Sequence, residues 1–333
     1  MGTTMRQIKT IEASGHILCH DMTLIIPGKV KETRFRKGQV ITDGDIPLLL
    51  DMGKEHLYVW ERQPGMLHEE EGAEKLSLLC RGLNIRAAPV KEGKIEFFAE
   101  KPGVLKINSE KMAALNSIDG IAVLSLTGNR GVKEGEKIAA VKIIPFLIQE
   151  EKLNTAAEIT RGEKLINVIP YKDKKVAIIV TGSELFQKRI SETGSTILKK
   201  KISVFGAECA EMTILPDDPE RIASEIKSMI EKGINLVICT GGMSVDPDDK
   251  TPTAIKQTGA RIVSYGVPFV PGVVLLLAYY EKDGISIPVI GAPACVFYEH
   301  NTSLDVLLPR LMADDPICLR DLAVMGEGGL GGQ

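Results

Sequence analysis

Three stretches of the chain set glycine beside hydroxyl or carboxylate groups directly after an apolar run. In KKVAIIVTGSEL the apolar residues Val176 to Val180 lead into Thr181, Gly182, Ser183 and Glu184. In INLVICTGGMSVDPDDKTP the run ends at Thr240, Gly241 and Gly242, and Ser244, Asp246, Asp248, Asp249, Thr251 and Pro252 follow. ISIPVIGAPACVF repeats the design around Gly291 and Pro293. Glycine lets a backbone approach a ligand closely, and successive backbone amides form a concave cradle for phosphate. The amides of Gly241, Gly242 and Ser244 are candidates for such a cradle. Asp246, Asp248 and Asp249 stand close enough in sequence to hold a hydrated Mg²⁺, which usually takes one or two carboxylates plus substrate phosphates. Asp217 and Asp218 follow a further strand-like stretch, ECAEMTIL, and Glu184 adds another carboxylate. The chemistry indicated is binding of a phosphate-bearing ligand with a divalent cation. Each carboxylate taken singly also has a structural reading. Asp218 stands where a helix N-cap belongs, and Asp-Pro-Asp-Asp suits a solvated turn.

The apolar runs have the length of strands buried on both faces, as in a parallel sheet, and ligands sit outside the carboxyl ends of such strands. From Lys174 onward strands alternate with helices, so the fold class expected is α/β, a mostly parallel sheet with helices on both faces. The clearest helix is DPERIASEIKSMIEKG: Asp218 caps it, Pro219 occupies its first turn and Gly233 stops it. A helix is expected from Glu192 to Phe205, and another from Thr251. RIVSYG and VVLLLAYY read as strands joined by VPFVPG, which carries Pro271 and Gly272. CVFYEHNTSLDVLLPRLM reads as one last helix, and GEGGLGGQ as a disordered ending. Ahead of this lies a β-rich α+β N-terminal region. The expected organisation is a small β-rich module over 1–60, with a short helix capped by Thr42 and Asp43 and stopped by Gly53. An α+β region over 61–170, the α/β domain over 174–313 and a tail over 314–333 follow.

The 333 residues suffice for two or three domains, and 44% hydrophobic with 26% charged residues is ordinary for a soluble globular chain. A formal net charge of −3 and the absence of a Lys/Arg stripe argue against nucleic acid as a partner. No apolar run approaches the roughly 18–20 residues of a membrane span, and the first residues lack a secretory h-region. The cysteines at 19, 80, 209, 239, 295 and 318 form no Cys-x-x-Cys pair, so buried thiols in a reducing cytoplasm are expected. The histidines at 16, 20, 56, 68 and 300 show no HExxH spacing. The spacing of His16 and His20 would suit a metal only on a helix, whereas their segment reads as a strand. Neither the P-loop spacing nor a GxGxxG after a strand is present, which excludes those two modes of nucleotide binding.

As an ordered set, VAIIVTGSEL, ILPDDPERI, ICTGGMSVDPDDKTPTAI, VPFVPG and VIGAPACVF resemble the motifs of the molybdopterin-binding domain. That domain is shared by molybdopterin adenylyltransferases and molybdopterin molybdenumtransferases, and the resemblance covers roughly residues 174–313. More faintly, the N-terminal half is similar to small β modules attached to molybdenumtransferases. The resemblance implies a cytoplasmic, homo-oligomeric protein that binds molybdopterin or its adenylylated form with Mg²⁺, a molybdoenzyme being a further candidate partner. It assigns catalytic positioning to Glu184, Asp217, Asp218 and Asp249, and metal to Asp246, Asp248 and Asp249. It assigns the pterin to Thr181, Gly182, Ser183, Thr240, Gly241, Gly242, Ser244, Thr251, Pro252, Pro271, Gly272, Gly291 and Pro293. The chain departs from the family at Ser183, where molybdenumtransferases carry an acid, and at PACV, which lacks an Asn. Three functions stay open. The chain is an enzyme that inserts metal into molybdopterin or adenylylates it, or a non-catalytic carrier or sensor of the cofactor. The third is an unrelated α/β fold with structural acidic turns.

Overall fold

The computed structural model describes residues 6–26, 30–59, 64–187, 194–244 and 250–330. The chain divides into two compact units, one of residues 1–101, 105–128 and 132–168, the other of residues 102–104, 129–131 and 169–333. Among the described residues no helix is long and apolar enough to cross a membrane.

The first unit holds two cores. Strand Arg6–Lys9 pairs antiparallel with His56–Val59, and Met22–Ile26 with Val30–Phe35. They enclose a core of Ile8, Leu18, Phe35, Ile41, Leu49 and Leu57. The helix here is Asp45–Asp51 with Gly44 at its N-cap. Thr42 and Asp43 therefore do not cap it: Thr42 instead takes the Asp45 carboxylate on both its N–H (2.9 Å) and its hydroxyl (2.7 Å). The second core is built on a four-stranded antiparallel sheet in the order Ile85–Ala87, Lys94–Ala99, Lys137–Ile143, Ile121–Ser125. Helices Glu69–Cys80, Ser109–Asn116 and Glu150–Thr160 accompany it, and Phe97 at its centre is fully buried.

A cluster of polar contacts around His68 and Lys37 joins the two parts of this unit. His68, buried at the N-cap of helix Glu69–Cys80, donates from Nε2 to the Cys19 carbonyl at 2.8 Å. Its Nδ1 then accepts from the Lys37 ammonium at 2.7 Å and from the Glu70 amide at 3.2 Å. Both donors need an unprotonated Nδ1. Burial pushes the His68 pKa down, and Lys37 adds to this against the pull of the Cys19 carbonyl, Glu70 and Glu71. His20, stacked on Phe146 at 4.8 Å, is shifted the same way, mainly by burial. A base whose folded pKa lies below its unfolded value binds more protons when unfolded, so stability rises with pH across that window. Urea midpoints should therefore fall as the pH is lowered through 6.5 toward 5, and the fall should shrink in His68→Gln. A midpoint flat over that range would refute this.

In the second unit strands are β1 (Lys175–Thr181), β2 (Glu208–Leu215), β3 (Leu236–Thr240), β4 (Arg261–Tyr265), β5 (Leu276–Lys282) and β6 (Ile285–Ala292). Helices are α1 (Ser183–Phe186), α2 (Gly194–Ser203), α3 (Pro219–Glu231), α4 (Thr251–Gln257), α5 (Ser303–Met312) and α6 (Leu319–Ala323). They make an α/β fold with a six-stranded sheet in the order β2-β1-β3-β6-β5-β4. β2, β1, β3 and β6 run parallel, while β5 is antiparallel to both its neighbours. The reversal follows from a two-residue turn, Asp283–Gly284, whose φ values of 51° and 77° suit the tight hairpin between β5 and β6.

Strand periodicity of two sends alternate residues to opposite faces. Val176, Ile178 and Val180 of β1 pack with Leu198 and Ile202 of α2 and Leu304, Leu307 and Leu308 of α5. Ala177 and Ile179 pack with Ile222, Ile226 and Met229 of α3 and Ile255 of α4. Each fully buried aliphatic side chain contributes roughly 1.5–3 kcal/mol, so both faces depend on their helices. Two expectations need correction. The last helix is split: residues Ala294–Phe297 form one 3-10 turn and α5 starts only at Ser303. There the Thr302 N–H and hydroxyl both donate to Asp305, at 2.9 and 2.7 Å, a start signal inside the expected helix. Nor is the ending loose up to Gly329. Ile317 and Leu322 are buried, and the Val270 N–H donates to the Gly329 carbonyl at 2.7 Å.

Candidate functional site

β1 leads to β2 on one side of itself, and the chain then returns past β1 to lay down β3 on the other side. The sheet's switch of direction thus falls between β1 and β3, whose carboxyl ends carry Thr181–Ser183 and Thr240–Ser244. Open α/β sheets bind ligands in the crevice at such a point.

The two loops are tied through α4. Thr251, fully buried at its first position, donates from its hydroxyl to the Gly241 carbonyl at 2.8 Å. With that proton spent, its Oγ1 accepts from the Thr181 hydroxyl at 3.1 Å. The Thr251 N–H donates to the Gly242 carbonyl at 3.2 Å. Gly241 (φ 92°) and Gly242 (φ 52°) both adopt the left-handed region, and a Cβ at Gly241 would lie 2.1 Å from the Thr181 carbonyl oxygen. Only glycine fits there. Pro252 sits in the first turn of α4, where its missing N–H costs nothing. The Thr240 hydroxyl is wholly buried and has no hydrogen-bond partner among the described residues. Buried polar groups are nearly always satisfied, so such a group asks for a ligand or water.

A second cluster joins the ends of β1 and β2. One oxygen of the Asp217 carboxylate accepts from the Ser183 N–H (2.8 Å) and hydroxyl (3.0 Å). The Gly182 N–H donates to the Leu215 carbonyl at 3.1 Å. Asp218 is occupied differently: its side chain caps α3, accepting from the amides of Glu220 (3.0 Å) and Arg221 (3.2 Å). Removing that cap should cost about 1 kcal/mol in Asp218→Ala and little in Asp218→Asn, read as shifts in the urea midpoint. Equal losses in both variants would point to a role for the charge itself. Glu184 lies in α1, and its side chain falls outside the described atoms.

Pro271 and Gly272 form a third cluster, after β4. Ser303 at the start of α5 donates from its N–H to the Pro271 carbonyl (3.0 Å) and from its hydroxyl to the Gly272 carbonyl (2.8 Å). Gly291 has a packing reason for being glycine: a Cβ there would lie 2.5 Å from the Met243 side chain. Pro293 stands at the N-cap of the 3-10 turn after β6. Asp246, Asp248 and Asp249 lie outside the described residues. Among those described, no group of three His, Cys, Asp or Glu side chains could hold a metal ion. Asp218 is engaged as a cap and one Asp217 oxygen is taken by Ser183, so the described residues do not by themselves fit a Mg²⁺ site. The Cys239 thiol is pushed up to about 12 by complete burial and is no nucleophile. Two contributors escape sequence reasoning. Met243 fills the space beside Gly291, and the Tyr265 hydroxyl, from β4, shares its one proton between the carbonyls of Met243 (3.1 Å) and Ser244 (3.3 Å). No periodicity or motif marks either residue.

The glycine loop thus stands at the topological switch point, the place where open α/β sheets hold their ligands. Residues 177–313 match the family described as a probable molybdopterin binding domain. That segment belongs to the molybdopterin-binding domain family. Residues 7–61 match a domain of unknown function (DUF8806). Over 87 residues, 26% of this chain and 20% of the relative, it is 29% identical to a CinA-like protein of Mycobacterium tuberculosis. Over 179 residues, 51% of this chain and 44% of the relative, it is 26% identical to a molybdopterin molybdenumtransferase of Synechococcus elongatus. The matches therefore span between a fifth and under half of these curated relatives. Among solved structures, the molybdopterin biosynthesis enzyme MoaB of Thermus thermophilus is similar over 41% of this chain and 91% of its own, at 18% identity and a TM-score of 0.35. A CinA protein of Thermoplasma acidophilum is similar over 36% and 88%, at 16% identity and a TM-score of 0.31.

Proposed function

We propose that the second unit binds molybdopterin, or its adenylylated form, at the carboxyl edge between β1 and β3, and that the protein serves molybdenum cofactor biosynthesis. One observation carries this reading: the loop Thr240–Ser244, in a domain of the molybdopterin-binding family, pairs left-handed glycines with a buried Thr240 hydroxyl that has no partner among the described residues. In this reading the amide edge of the loop holds the phosphate. Thr181 and Thr251 fix the loop's position, and Asp217 orders the Ser183 turn. The ligand edge of Pro271, Gly272 and Pro293 limits where the pterin lies. Transferase activity, whether metal insertion or adenylylation, would need a cation. Asp246, Asp248 and Asp249 are the residues to supply it, with Glu184 and the free oxygen of Asp217.

The carrier or sensor reading draws support from Ser183. A neutral hydroxyl there, hydrogen-bonded to Asp217, gives the cation one anionic donor fewer than the family's acid would. A cytoplasmic location, self-association and delivery to a molybdoenzyme belong to the same proposal. Native mass spectrometry of the full chain with purified molybdopterin tests the binding claim. A one-to-one complex per protomer is expected, and none at tens of micromolar ligand would overturn it. Incubation of the complex with Mg²⁺ and either ATP or molybdate then separates enzyme from carrier.

A further inference from the structure

The carbonyls of the glycine loop are taken one after another. Gly241 and Gly242 give theirs to Thr251, as described, and Met243 and Ser244 give theirs to the Tyr265 hydroxyl. The first half of the loop is thus held from α4, which follows it in sequence. The second half is held from β4, an edge strand separated from β3 by two others. The Met243 side chain, 4% exposed and seated in the notch left by Gly291, anchors the same turn from below. Tyr265 itself stands at the base of the next loop. Beyond it, the Gly266 N–H donates to the Leu275 carbonyl (2.9 Å) and the Val267 N–H to the Val273 carbonyl (2.8 Å), closing the turn that carries Pro271 and Gly272.

We infer that Tyr265 is a positioning residue: by holding the Met243 and Ser244 carbonyls, its hydroxyl turns the amide edge of the glycine loop toward an anionic group of the ligand. This rests on the pterin reading for the identity of that ligand. A peptide unit has its N–H opposite its C=O, so fixing the Met243 carbonyl also fixes the direction of the Ser244 N–H. The fixing removes the need to order the loop when the anion arrives. Tyr265 is 46% exposed, so its ring contributes little to the core and the hydroxyl can be deleted without a cavity.

The test uses the full chain and its Tyr265→Phe variant. Two readouts are taken: affinity for molybdopterin against its dephosphorylated form, and amide hydrogen exchange across residues 241–244. One lost hydrogen bond predicts a three- to tenfold weaker affinity for molybdopterin, unchanged affinity for the dephosphorylated pterin and faster exchange in the loop. Melting temperatures should agree within about 2 °C. Equal weakening toward both pterins would mark a structural effect and overturn the inference. So would unchanged exchange, or unchanged affinity in a variant whose parent binds. Failure of the parent to bind either pterin would overturn the pterin reading and the ligand role of Tyr265 with it. Unchanged exchange beside a binding parent would overturn the tether alone.

Discussion

Gly241→Ala should both destabilise the second unit and eliminate detectable binding of molybdopterin. The residue's φ of 92° already costs an alanine about 1–2 kcal/mol. Steric contact costs more: the new Cβ would meet the Thr181 carbonyl oxygen at 2.1 Å and its hydroxyl at 2.8 Å. That oxygen belongs to the backbone of a strand paired on both edges and cannot yield as a flexible side chain would. The loop must move instead, and in moving it breaks the bonds from Thr251 to Gly241 and Gly242. A loss beyond about 2 kcal/mol in urea unfolding is expected, with a Kd raised more than a hundredfold. Gly259→Ala is the control. Its φ is 88°, but nothing lies within 4 Å of the added Cβ, so only the backbone cost of the left-handed conformation should appear. If the two variants lose equal stability, the close approach of the glycine loop to β1 is not what constrains Gly241.

Arg310→Ala should cost about 3–5 kcal/mol, because it leaves carboxylates stranded rather than merely deleting an attraction. Arg310 is 5% exposed. Its guanidinium reaches Asp315, the Pro316 carbonyl at 2.6 Å and Asp321 at 3.3 Å. Burial alone would raise the Asp321 pKa; the Cys318 N–H and Arg310 outweigh it and hold the carboxyl below the usual range. A carboxyl with a depressed folded pKa contributes stability above its unfolded pKa and loses it as the pH falls through the folded one. The Arg310→Ala deficit should therefore narrow below about pH 4. The neighbouring Ile317 N–H, donating to the Tyr279 hydroxyl at 3.0 Å, should become accessible together with α6, which limited proteolysis would register as early cleavage after residue 314. A variant with parental urea midpoint would mean that water replaces the guanidinium without loss.

Much of the second unit was legible because its signals are local. Val176 to Val180 is a strand-length apolar run, and Asp218, Pro219 and Gly233 bracket α3 with cap, first turn and stop. What escaped depends on partners distant in sequence or on a signal outweighed by another. Asp283–Gly284 is a hairpin turn of the kind sequence can announce, but the strong strand reading on either side of it does not say which way β5 runs. Thr302 and Asp305 start α5, yet the apolar residues before them extend the helical pattern through Ala294–Phe297. At the site, the glycines and threonines of the switch-point loops were readable from type and order. Asp218 resolves as a cap, Gly291 as space for Met243, and Tyr265 reaches the site only because β4 folds back beside β5. The acidic trio Asp246, Asp248 and Asp249 lies outside the described residues, so its part stays a proposal resting on residue type.

The sheet order carries a consequence for how the protein comes to exist. β6, the last strand made, lies between β3 and β5, near the middle of the finished sheet. Until the ribosome has delivered Ile285–Ala292, β3 has one bare edge, and β4 with β5 has no sheet to join. Pairings over such sequence separations form slowly, and unpaired strand edges invite association with other chains. A nascent chain stalled near residue 280 would thus expose the Leu236–Thr240 edge beside the glycine loop. The addition of β6 covers the open edge of β3 and seats β4 and β5 in the sheet in one step.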